Sequence, residues 1–452
     1  MTTKRNSIKI CLVGAAALLS TFFCRDTAAQ NVLASFNYTN GLYTYAGLIL
    51  NGATLYGTTI AGGASNWGTV FSLPAGGGAV TTLASFSFTN GAYPDAGLIL
   101  SGATLYGTTE AGGASNWGTV FSIPAGGGSV TTLASFNGTN GAYPYAGLIL
   151  SGSTLYGTTE EGGTSNLGTV FSIPIGGGPV TTLASFTGTN GAYPYDGLIL
   201  SGSTLYGTAW EGGDFGYGTV FSIPVGGGPL TALASFNHTN GAYPSAGLLL
   251  SGSTLYGTTY YGGAYGGVYG YGTVFSIPVG GGPVTTLVSF NGTNGEGPAA
   301  GVILSRSTLY GTTVYGGENG YQPYAFGTGY GTVFAIPVGG GTVTTLASFN
   351  GTNGEWPLAG LSLSGSTLYG TTEEGGAYGD GTAFSLSSTV PIPLNIQLNG
   401  ASVILSWNDP ASLFSLQSAP TLTGQFTNIP GATSPYTISI PGAQRFFQLI
   451  GN

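Results

Sequence analysis

The chain has 452 residues, of which 5% are charged, 42% are hydrophobic and 85 are glycine, with a formal net charge of −9. The hydrophobic residues alternate in order, which excludes a low-complexity disordered chain. After residue 29 there is neither Lys nor Cys, and Arg306 and Arg445 stand against fourteen carboxylates, a net charge of −12; strong binding to nucleic acid or to an anionic membrane surface is excluded, and so are disulfides.

The first 29 residues place Lys4, Arg5 and Lys9 before an apolar run from Ile10 to Phe23, then Thr27, Ala28 and Ala29. A basic start, an apolar stretch and small residues are the pattern of a cleaved secretory signal, so a secreted or cell-surface protein with no membrane span after cleavage is expected. Both cysteines, Cys11 and Cys24, would leave with it.

Next comes a lone strand, Val32 to Phe36, and its string Leu-Ala-Ser-Phe begins again, with small changes, at Leu83, Leu133, Leu183, Leu233, Leu287 and Leu346. The spacing is 50 residues four times, then 54 and 59. Within one unit, residues 147–150 form an apolar strand, Ser151 and Gly152 a turn, and Thr154 to Thr159 a β-branched and aromatic strand. A loop over 160–167 leads to a third strand over 168–174, a Gly176 to Gly178 hairpin and a fourth strand over 180–186. Four strands in about 50 residues are the dimension of a propeller blade of the kelch class. The last unit stops after its third strand, near Leu386, and the chain opens with a fourth strand that lacks its first three. An all-β, seven-bladed propeller over residues 32–386, closed by its N-terminal strand, is expected, because closure removes two free edges.

Residues 387–393 read as a linker, and 394–452 as a small fibronectin-like, β-sandwich-like module with strands near 402–407, 413–417, 436–440 and 445–449.

Blade topology puts the second-to-third loops and the inter-blade segments on one face, where binding residues tend to sit. Glu110, Glu160, Glu161, Glu211, Glu373 and Glu374 open those loops, with Trp67, Trp117 and Trp210 nearby. Blades five and six break the symmetry with longer loops carrying Tyr260, Tyr261, Tyr265, Tyr269, Tyr315, Tyr321, Tyr324 and Phe326. Aromatic platforms beside carboxylates suit sugar rings, which stack on the ring while their hydroxyls donate to the carboxylates. The candidate ligand-binding residues are Glu160, Glu161, Trp210, Glu211, Tyr260, Tyr261, Tyr315, Glu373 and Glu374. Carboxylates and loop carbonyls also suit Ca²⁺, although no EF-type loop is present, and no other cofactor is expected. The one histidine, His238, is a turn residue where other units carry Gly or Tyr, so His-based catalysis and His-rich metal sites are disfavoured. Only paired carboxylates remain for catalysis.

The string from Ser153 to Ile173, STLYGTTEEGGTSNLGTVFSI, resembles the GloVer (Gloeo/Verruco) tandem repeat of secreted bacterial proteins, and it recurs in all seven units. The resemblance implies extracellular or surface placement through varied C-terminal anchors, with no catalytic residues and no assigned substrate. This chain departs from the anchored pattern, running from Gln444 to Asn452 without an apolar helix or a basic stop. The reading is a secreted, monomeric, non-enzymatic propeller binding an extracellular glycan or surface protein; a structural matrix protein and a carboxylate-based glycan-active enzyme are the alternatives.

Overall fold

The structure, a computed structural model, describes residues 7–12, 30–267, 269–322, 327–388, 394–399, 402–407, 414–421, 424–439 and 445–451. The rest of the leader, Tyr324, Phe326 and linker residues 389–393 lie outside the described residues. The described residues are strands and turns without helix, in two compact units, 31–385 and a second formed by 1–30 with 386–452.

In the larger unit, the strands expected around Gly157 are Ile149–Ser151, Thr154–Thr159, Thr169–Pro174 and Thr181–Ser185, joined antiparallel in chain order. The first strand begins two residues later than its apolar run predicts. Five further sheets repeat this order, starting at Ile49, Ile99, Ile199, Leu249 and Ile303. The seventh is assembled from both ends of the repeat region. Ser362–Ser364, Thr367–Thr372 and Thr382–Ser387 supply three strands, and Asn31–Ser35 is the fourth. Its register, Val32 opposite Phe384 and then Ala34 opposite Ala383, skips one residue as the other outer strands do.

Two contacts tie every sheet to the next, a third joins all neighbours but the sixth and seventh, and all three have a counterpart between the seventh sheet and the first. The hydroxyl of the threonine one before the end of the second strand donates to a backbone carbonyl of the following unit, as in Thr108 to Ala146 (2.9 Å) and Thr371 to Ala46 (3.1 Å). A phenylalanine after the outer strand meets the third-strand phenylalanine of the following unit edge-on, as in Phe136 with Phe171 (5.0 Å) and Phe36 with Phe71 (4.9 Å). All four rings are fully buried, and such pairs add about 0.5–1.5 kcal/mol each beyond their buried area. The bulged leucine of every outer strand but the sixth offers its carbonyl to the Gly triplet of the following unit, as in Gly178 N to Leu133 O and Gly78 N to Leu33 O, both 3.1 Å; the seventh unit has no triplet to meet Leu346. The triplet is therefore an inter-sheet contact as well as a hairpin turn.

Gly157 has a role other than crowding at an axis. A Cβ there would lie 2.7 Å from Phe171 Cζ, so the missing side chain makes the space for the buried ring across the sheet.

In the smaller unit, Ser7–Leu12, Arg445–Gly451, Phe414–Ala419 and Thr427–Asn428 form one sheet, while Asn395–Asn399, Ser402–Ser406 and Tyr436–Ser439 form another. Leu394, Val403, Leu405, Trp407, Leu416, Phe447 and Leu449 make a common core. The strand Asn395–Asn399 was unexpected, although its Asn-Ile-Gln-Leu-Asn alternation is a strand pattern. Ser7–Leu12 lies within the expected leader and pairs along Arg445–Gly451.

Candidate functional site

Each inter-unit segment is stitched between two neighbouring loops. Tyr143 N donates to Trp117 O of the preceding unit, and Glu160 N donates back to Tyr143 O, while Ala142 and Glu161 exchange backbone bonds. To make both contacts Tyr143 adopts φ +55°, and Tyr43, Tyr93, Tyr193, Tyr243 and Trp356 repeat this conformation. For a bulky residue that backbone is costly, about 1–2 kcal/mol, and it is held by the surrounding bonds. His238 is in the expected turn at φ +72°, where Gly138 has +81°.

Two residues after this stitch, just before each first strand, stand Tyr45, Asp95, Tyr145, Tyr195, Ser245, Ala299 and Leu358. All seven line one cavity of about 750 Å³, walled below by the first strands and joined by Trp210 and Tyr260 from the second-to-third loops. A sequence scan for clustered loop aromatics passes over Tyr45 and Asp95. The signal for them is that this one position varies from unit to unit while the Ala-Gly-Leu motif after it hardly changes.

Carboxylates meet tyrosines across unit boundaries. The Tyr45 hydroxyl donates to Glu373 Oε1 at 2.7 Å, and the Tyr195 hydroxyl to Glu160 Oε1 at 2.7 Å. Burial pushes the Glu160 and Glu373 carboxyls above the ordinary range, against the opposing pull of those hydroxyls. The same burial raises Tyr45, Tyr145 and Tyr195, helped by the neighbouring carboxylates. Asp95 is held well above the usual carboxylate range by burial and then by the charge and hydrogen bonding of Glu110, and its buried Oδ1 has no hydrogen-bond partner. Tyr145 faces the same Glu110.

Trp210 is half-buried at the centre of an aromatic group, with Tyr195 at 5.4 Å, Tyr243 at 5.1 Å, Tyr260 at 6.0 Å and Tyr261 at 6.4 Å between ring centroids. Tyr260 and Tyr261 meet edge-on at 4.8 Å, and Tyr315 lies against Tyr260. Of the predicted residues, the structure thus brings together Trp210, Tyr260, Tyr261 and Tyr315, and sets Glu160 and Glu373 each beside a cavity-lining tyrosine. Glu161, Glu211 and Glu374 do not line the cavity. Glu160 and Glu161 diverge: Glu161 faces Asn166 Nδ2 at 3.5 Å, and Glu211 is exposed. More exposed rings stand on the same loops, at Phe215, Tyr265, Tyr269 and Tyr378.

Glu296 is a further departure from the repeat, occupying the position of Ala92, Ala142, Ala192 and Ala242. It is fully buried; Oε1 accepts the Gly327 N–H at 2.5 Å, and Oε2 is buried without a hydrogen-bond partner. Burial pushes its carboxyl up to about 7, against the pull of that N–H. Among the described residues no three His, Cys, Asp or Glu side chains gather as a metal site. Nor is any described helix long and apolar enough to cross a membrane.

Tandem four-stranded antiparallel sheets, each tied to its neighbour by the same contacts, define an all-β protein of propeller-like repeats. The chain belongs to the Gloeobacter/Verrucomicrobia repeat family, whose model matches residues 19–221, 177–321 and 264–401. No curated protein matches it. Among solved structures it is similar to a chain of a nidogen/laminin complex, at 16% identity and TM-score 0.37, covering 62% of this chain and 90% of that one. It is also similar to a Mycobacterium tuberculosis puromycin-hydrolysing peptidase at 11% and 0.47, over 82% of this chain and 60% of the peptidase. An oligogalacturonate lyase in complex with manganese matches at 11% and 0.48, over 85% and 98%. Likeness at this level carries no activity across.

Proposed function

We propose that the chain is a secreted, closed seven-bladed propeller of kelch-like type with a sandwich-like C-terminal module, and that it binds an extracellular glycan at the cavity mouth without processing it. The observation that carries the binding reading is the cavity rim, which has the tyrosine–carboxylate pairs Tyr45–Glu373 and Tyr195–Glu160, the second of them adjoining the Trp210 aromatic group. Each paired carboxylate keeps an oxygen for a sugar hydroxyl, and the aromatic group offers apolar surface to a pyranose face. Closure is supported by the threonine, phenylalanine and bulge contacts between the seventh unit and the first. Secretion is supported by the leader pattern before residue 30.

Screening the secreted protein on a glycan array, with and without Ca²⁺, tests the binding reading. Retention of a polysaccharide that is lost in Trp210→Ala is expected, and no retention of any glycan would refute it. Deleting Val32 to Phe36 tests closure: a large fall in melting temperature is expected, and an unchanged one would show that the seventh sheet does not need that strand.

A further inference from the structure

The cavity rim is acidic without compensation. Asp95 lines the cavity, Glu110 faces both Asp95 and Tyr145, and Glu160 and Glu373 are held by cavity-lining tyrosines. No Lys, Arg or His is among the lining residues, and after residue 29 the chain has only Arg306 and Arg445 as permanent cations. The tyrosine hydroxyls already donate to Glu160 and Glu373, so their own oxygens face a ligand as acceptors. Carboxyls gathered away from water cannot all ionise without repelling one another, and a neutral hydroxyl relieves little of that cost. A uronic acid or sulfated sugar would add to it. A primary ammonium brings three donors and a positive charge, which a carboxyl pair such as Asp95–Glu110 accepts and a neutral hydroxyl cannot match.

Two observations narrow the cation. Asp95 Oδ1 is buried and has no hydrogen-bond partner, which marks a place where a donor is missing. Tyr145, which faces the same Glu110, and Trp210 line the cavity as well, and these rings supply apolar surface for what carries that cation.

We propose that the cavity mouth binds an amino sugar, its free ammonium at the Asp95–Glu110 pair and its pyranose ring against the aromatic side chains that line the same cavity. The inference rests on the glycan-binding reading above and adds the class of sugar. It requires the charge on nitrogen: N-acetylation removes the cation and two of its three donors, and the bulkier amide cannot neutralise the carboxyl pair.

The test is calorimetric titration of the full secreted protein with glucosamine tetrasaccharide, its N-acetylated counterpart, cellotetraose and spermidine. Glucosamine tetrasaccharide should bind at least about tenfold more tightly than either neutral tetrasaccharide, and the preference should shrink as salt is raised. Asp95→Asn and Glu110→Gln, each with an unchanged melting temperature, should abolish the preference while leaving weak neutral-sugar binding. Equal affinity for the three tetrasaccharides would overturn this inference and leave the glycan reading standing. Spermidine binding as tightly as the amino sugar would overturn it in favour of a general polycation site. Binding of none of the four would overturn it, and the glycan reading would then rest on the array alone.

Discussion

The Thr371 hydroxyl donates to the Ala46 carbonyl at 3.1 Å, across 325 residues of chain. The same bond joins Thr108 to Ala146 at 2.9 Å, where the partners are 38 residues apart. Losing one such buried bond costs about 1–2 kcal/mol wherever it lies in a continuous ring. Thr371→Val and Thr108→Val should therefore lower the denaturation midpoint by similar amounts. If Thr371→Val proves neutral while Thr108→Val destabilises, the seventh unit does not close on the first.

Gly157 faces the buried ring of Phe171. A methyl group 2.7 Å from Phe171 Cζ forces the ring or the strand to move, and overpacking of this kind costs about 1–3 kcal/mol. Gly157→Ala should destabilise, whereas Gly176→Ala, whose Cβ would meet nothing within 4 Å, should be close to neutral. Thermal melts of the two variants, side by side, give the comparison.

Glu296 gives a pH dependence with a definite sign. Its carboxyl is raised from the ordinary 4.5 to about 7, so the folded protein holds the proton more tightly than the unfolded chain. The stabilisation is full below 4.5 and is lost as pH rises through 7. Glu296→Gln cannot lose that proton. The stability difference between the variant and the parent should grow in the variant's favour from pH 5 to pH 8, by on the order of 2 kcal/mol. Denaturant titrations at intervals across that range measure it, and a constant difference would show that Glu296 does not titrate there.

Trp210 and Glu161 were singled out together by sequence, and the structure separates them. Trp210 lines the cavity among four tyrosines, whereas Glu161 lies outside the lining and faces Asn166. Trp210→Ala should weaken glycan binding by about tenfold or more, on the order of 1–3 kcal/mol for a lost aromatic contact. Glu161→Gln should change it less than twofold. Titration with whichever oligosaccharide the array selects distinguishes the two, and equal losses would move the site out towards the loops.

The strands around Gly157 were legible because they rest on local chemistry. Period-two alternation, Pro at strand ends, and Asn-Gly and Gly-Gly-Gly turns act within a few residues of each other. The truncated last unit and the orphan strand at Val32 even pointed to their own pairing, because an unpaired strand edge is unfavourable. His238 could be read as a turn residue for the same reason, since four other units carry Gly at that position, each with positive φ.

The site was legible only as a face. Sequence placed Glu160, Trp210, Tyr260 and Glu373 at the same end of the sheets, but not what each would touch. Tyr195 meets Glu160 across 35 residues and Tyr45 meets Glu373 across 328; both pairs depend on how one sheet turns against the next, which no local pattern encodes. Asp95 carries no signal of its own in the sequence; packing buries it beside Glu110 and leaves one oxygen without a donor. The amino-acid sequence by itself therefore determined the repeat, its strands and the missing fourth strand, since these follow from backbone propensity and edge pairing. Tertiary structure alone decided which acids and aromatics share the cavity, because desolvation and charge repulsion arise only between groups that folding brings together.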